Sequence, residues 1–73
     1  MVKKTTEISI YSDYITLGQF LKLADLIQTG GEAKQFLAEH EIKIDGVIDN
    51  RRGRKLRGGE IVEVLGRKYE IKK

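Results

Sequence analysis

The chain has 73 residues, with 14 lysines and arginines against 11 aspartates and glutamates, and a formal net charge of +3. That length accommodates one domain with a small core, and the absence of cysteine excludes a disulfide framework and a cysteine-based zinc site, pointing to a reducing, cytoplasmic setting. No apolar run reaches the length of a membrane span and none follows the charged start Met1–Glu7, so neither secretion nor insertion is expected.

Residues Thr6 to Tyr11 alternate, with Ile8 and Ile10 on one side and Glu7, Ser9 and Tyr11 on the other, the pattern of a half-buried strand. A helix start follows. Thr16-Leu17-Gly18-Gln19 has the form of a capping box, and Ile15 with Phe20 can form the hydrophobic staple beside it. Leu17, Phe20, Leu21, Ala24 and Ile27 then follow helical spacing, with Leu23 and Leu26 widening the buried face. Gly18 costs helix stability, which either a closely approaching backbone or a tolerant position explains; the sequence favours tolerance. Thr29-Gly30-Gly31-Glu32 turns the chain and spells a second capping box, opening a helix whose inner face is Ala33, Phe36, Leu37 and His40. His40 is the one histidine and is expected to cap or pack, not to bind a metal.

Beyond Glu41 the period becomes alternating. Ile42-Lys43-Ile44 and Val47-Ile48 are expected to form a hairpin around Asp45-Gly46, a favoured pair for a tight turn. Ile61, Val62, Val64 and Leu65 are expected to make the strongest strand, and Gly66-Arg67 to turn into a last one over 68–72. The predicted architecture is α+β, with two helices packed on a small, mostly antiparallel sheet.

Between those strands lies the basic stretch. Five of the seven residues from Arg51 to Arg57 are cationic and four of the five are arginines, whereas the segment from Thr16 to Glu41 carries a net charge of −2. Segregated signs indicate a directional electrostatic site, and arginine presents a planar fork of donors that fits two phosphate oxygens at once. Nucleic acid is the expected polyanion. An acidic protein is the alternative partner, and the shortage of exposed aromatic anchors counts against it. Attachment to an anionic membrane lacks the required basic amphipathic helix. Catalysis is not expected either. The chain has one histidine and two serines, the carboxylates of Asp45 and Asp49 are accounted for by turns, and no phosphate-binding glycine motif is present. No cofactor or metal is expected.

The order of capped helix, turn, second helix beginning near Ala33, strand, Asp45-Gly46, strand and basic loop, followed by Lys55-Leu56-Arg57-Gly58-Gly59-Glu60-Ile61-Val62, resembles the RNA-binding domain named after ribosomal protein S-four, or alpha-L motif. The resemblance spans about residues 15–65, and Ile15 to Lys22 together with Asn50 to Leu56 is similar to its small stand-alone bacterial YaaA type. It implies a protein that binds structured RNA, often ribosomal RNA or a ribosomal particle, and a chain this short, without room for the enzyme domain that many members carry, is expected to bind without catalysing and as a monomer. Its implied contacts are Arg51, Arg52, Arg54, Lys55 and Arg57 from the loop, with Lys22, Lys34, Gln19 and Gln35 from the helices. The helix starts depart from the family: Thr16-Leu17-Gly18 stands where many members have an Arg-Leu-Asp-like start, and Thr29-Gly30 where many have a Ser-Arg pair. The amides around Gly30, Gly31 and Glu32 are expected to add a weaker phosphate contact.

Overall fold

The computed structural model describes residues 5–73; Met1–Lys4, the charged start of the sequence, lie outside the described residues. Five strands form the main sheet: β1 (Thr6–Ser9), β3 (Ile42–Ile44), β4 (Val47–Ile48), β6 (Ile61–Val64) and β7 (Arg67–Lys72), in the order β1-β7-β6-β3-β4. Among the described residues only the β1–β7 pair is parallel. Two short strands, β2 (Ile15–Thr16) and β5 (Lys55–Leu56), pair separately as an antiparallel ribbon.

Alternation places Val62 and Val64 of β6 and Tyr69 and Ile71 of β7 in the core with Ile42 and Ile44. Against them pack the apolar faces of helices α1 (Leu17–Leu23) and α2 (Ala33–Glu39), contributing Leu17, Phe20 and Leu21, then Ala33 and Leu37. Phe20 meets Tyr69 edge-to-face at 5.3 Å between ring centroids. The result is the expected α+β arrangement of two helices on a mostly antiparallel sheet.

The capping box at Thr16 forms as expected: Thr16 Oγ1 accepts from the Gln19 amide, and Gln19 Oε1 accepts from the Thr16 amide. The helix is shorter than its periodicity. Asp25 adopts a left-handed φ of 61°, the Leu26 amide donates back to the Leu21 carbonyl, and the Asp25 amide donates to that of Lys22. Those two reversed bonds stop α1 at Leu23. Ile27 is consequently buried from the following loop and Leu23 is exposed, against the expectation that both lie on one helical face.

The second expected capping box does not form. A single 3-10 turn over Gly30–Glu32 leads into α2, and Thr29 Oγ1 bonds the Glu32 carboxylate instead of a backbone amide. His40 ends α2 and packs on the Phe36 ring at 4.5 Å. The expected strand from Ile61 to Leu65 is also trimmed, because Leu65 leaves β6 to form a two-residue turn with Gly66, both at positive φ, and Arg67, expected in the turn, begins β7. Asp45 and Gly46 make the corresponding turn between β3 and β4.

Candidate nucleic-acid interface

The loop from Asp49 to Arg54 is stitched to the start of α1 by main-chain bonds. A helix leaves its first amides without internal partners. Here the Leu17 amide donates to the Arg54 carbonyl at 2.8 Å, the Gly18 amide donates to the Arg52 carbonyl at 3.0 Å, and Thr16 Oγ1 takes the Gln19 amide. The basic loop is thereby an extension of the helix cap, held at fixed height over its first turn. Gly18 is the contact point. A Cβ built on it falls 2.9 Å from Arg52 Cγ and 3.6 Å from Ala33 Cβ, so the glycine makes room for the Arg52 side chain between the two helices. This replaces the expectation of a merely tolerant position.

Asp49, which the sequence offers only as a turn residue, organises the other arginines. Its Oδ1 accepts from the Arg51 amide and from Arg51 Nε, and its Oδ2 accepts from Arg51 Nη2 at 2.8 Å and Arg54 Nη1 at 3.2 Å. The carboxylate side chain retains only 9% exposure beneath them. Hydrogen bonding to the Arg51 side chain, reinforced by its amide, its charge and Arg54, outweighs burial and holds the Asp49 carboxyl well below the usual carboxylate range. The clasp is therefore fully charged at neutral pH. Arg51 and Arg54 are partly neutralised by it, and the signal was in the sequence as an acid two residues before the first arginine.

Arg52 is placed differently. Its side chain borders two open clefts of about 380 Å³ each, one lined also by Thr16, Gln19, Lys22 and Gly30, the other by Lys34, Ala38 and Asn50. Among the described residues Arg52, Lys22 and Lys34 have no carboxylate within ion-pair distance. Three of the sequence-predicted contacts, Gln19, Lys22 and Lys34, are thus brought around a fourth, Arg52. Gln35 is not. It lines another cleft with Leu26, Ile27 and Phe36, and its amide donates to Glu39 at 3.4 Å. Lys55 and Arg57 lie on a third surface, over the ring of Tyr14, a residue that the sequence reading did not select.

The family model described as "S4 domain" matches residues 8–72 of the chain. The chain is 63% identical over 59 residues to the "Probable ribosome maturation protein RlbA" of Bacillus subtilis, covering 81% of this chain and 83% of that protein. It is 29% identical over 58 residues to the "Putative RNA-binding protein YbcJ" of Escherichia coli, covering 80% and 83% respectively. A match over nearly the full length, on a fold whose two helices and sheet carry a basic loop against a helix cap, places this chain in the S4 domain family.

Proposed function

We propose that this chain is a non-catalytic RNA-binding unit that holds structured RNA, ribosomal RNA above all, as a monomer acting in ribosome maturation in the cytoplasm. The observation that carries the reading is Arg52, fixed by its carbonyl to the start of α1 and flanked by Lys22 on one side and Lys34 on the other. The names of the two relatives support it, one for ribosome maturation and one for RNA binding. In this reading the two helices and the basic loop form an alpha-L motif. Its rigid cations meet the phosphates of an A-form helix, whose deep groove hides the base edges and leaves backbone shape to be recognised.

The test is a filter-binding titration of a ribosomal RNA hairpin against salt. If about four phosphates are neutralised, affinity falls on the order of 100-fold between about 50 and 200 mM salt. A flat response, or equal affinity for an acidic protein, overturns the reading. The triple replacement of Arg51, Arg52 and Arg54 by lysine keeps the charge and removes the planar forks, so it is expected to weaken binding to the hairpin more than binding to an unrelated RNA.

Gly18→Ala provides a second check. Alanine gains up to about 1 kcal/mol in helix propensity but its methyl group pushes Arg52 from its seat. The expected result is RNA affinity lower by about fivefold with little change in the thermal midpoint, the two being measured on the same preparation. Unchanged affinity would show that the seat of Arg52 does not matter for binding.

A further inference from the structure

The two-stranded ribbon of β2 and β5 has a buried side and an outer side. Ile15 and Leu56 are register partners and both face the core. Thr16 pairs with Lys55, and one step beyond the ribbon's other end the same register sets Tyr14 opposite Arg57. Alternation therefore puts Tyr14, Thr16, Lys55 and Arg57 on the outer side together. Lys55 Nζ lies 4.9 Å and the Arg57 guanidinium carbon 5.7 Å from the centroid of the Tyr14 ring, and that tyrosine is 39% exposed.

This cluster has two positive charges and, among the described residues, no carboxylate paired with either side chain. The acids nearest in sequence are engaged elsewhere, Asp13 with Lys73 Nζ at 3.8 Å and Glu60 with the backbone. Glu60 accepts from the Arg57 amide at 2.8 Å and from the Gly58 amide at 2.7 Å, so its carboxylate closes the backbone turn. Thr16 joins the cluster to the Arg52 cleft, which it also lines. Phe20 is engaged with Tyr69 and Phe36 with His40, and Tyr11, 97% exposed, has no cation over its ring among the described residues.

We propose that the outer side of this ribbon is a second contact for the RNA, with Tyr14 stacking on one unpaired nucleobase and Lys55 and Arg57 binding the phosphates on either side of it. The proposal rests on the RNA-binding reading and adds to it a preference for RNA in which an unpaired nucleotide adjoins a helix. Magnitudes favour the exchange. An exposed cation over a ring is worth about two- to fivefold in an equilibrium. A base stacked on an aromatic side chain is worth roughly 5- to 150-fold, and each cation released from the ring gains a phosphate oxygen. A helix seated on Arg52 and its flanking lysines accounts for none of these three side chains.

Two RNA hairpins test the proposal, one with a single bulged adenosine and one fully paired in the same stem. Tyr14→Leu removes the stacking face, and Tyr14→Trp keeps one while adding the chain's only tryptophan. Tyr14→Leu is expected to lower affinity for the bulged hairpin by about tenfold and for the paired hairpin by less than about twofold. Tyr14→Trp is expected to bind like the parent, its fluorescence quenched by the bulged hairpin alone. Equal losses on both hairpins would make Tyr14 a positioning residue for Lys55 and Arg57 and overturn the stacking site. No loss on either, or tryptophan emission that RNA leaves unchanged, also overturns it while the parent's binding stands. Failure of the parent to bind either hairpin instead overturns the RNA reading itself. Thermal melts of both variants establish that the fold is intact.

Discussion

Arg52→Glu is expected to lower affinity for a ribosomal RNA hairpin by on the order of 100-fold, with the thermal midpoint moving by less than about 3 °C. Charge-assisted hydrogen bonds are worth about 1.5–3 kcal/mol each, and reversing the charge adds repulsion from the same phosphate. Arg52 carries this weight because among the described residues no carboxylate pairs with its guanidinium, whereas Arg51 and Arg54 already share Asp49. A phosphate that takes the Nε–Nη2 edge of Arg51 must displace a carboxylate held there by two side-chain hydrogen bonds, and one that takes the outer edge meets a charge already partly neutralised. Arg51→Ala should accordingly cost several-fold less affinity than Arg52→Ala, although both remove one positive charge. Parallel binding titrations of the three variants decide the ranking, and a larger loss for Arg51→Ala would show that the clasp opens on binding.

Leu56→Ala is expected to remove about 2–5 kcal/mol of stability and to lower the thermal midpoint by more than about 10 °C. The whole fold is worth only about 4–11 kcal/mol at this length. Leu56 has 0% exposure, stands between Lys55 and Arg57, and is the register partner of Ile15, so it anchors the C-terminal end of the basic loop to the core. Leu23→Ala is the matched control. Helical spacing alone assigns Leu23 to the buried face, but it is 56% exposed where α1 ends, and its truncation is expected to change stability by less than about 0.5 kcal/mol. Circular dichroism melts of the two variants compare them directly; similar losses would mean that Leu23 is covered in solution.

Features set by neighbouring residues were legible in the amino-acid order. The Thr16 capping box, the alternation of β6 and β7, the turn at Asp45-Gly46 and the concentration of cations from Arg51 to Arg57 all depend on spacings of a few residues. The order of these elements also pointed to the family. Where local patterns competed with bonds made across the chain, spacing misled. The apolar period carries α1 through to Ile27, but the left-handed turn at Asp25 ends it sooner, and Thr29 finds the Glu32 side chain instead of a free amide.

The ranking of the cations was decided only by the tertiary structure. In sequence Arg51, Arg52 and Arg54 are three equivalent charges, and Gly18 is an isolated helix defect. Folding brings the loop carbonyls onto the amides of Leu17 and Gly18, which sets Arg52 in the space that a side chain at residue 18 would fill. It also turns Arg51 and Arg54 toward Asp49, carries Gln35 to another face, and gathers Lys55 and Arg57 over Tyr14. The reason is physical: a run of residues fixes how much charge a segment holds, but the direction of each side chain depends on partners more distant in the chain. The amino-acid order thus determined that this protein has one strongly basic segment on an α+β scaffold. The tertiary structure decided which of its cations are paired, because only the folded chain settles which of them meet a carboxylate among the described residues.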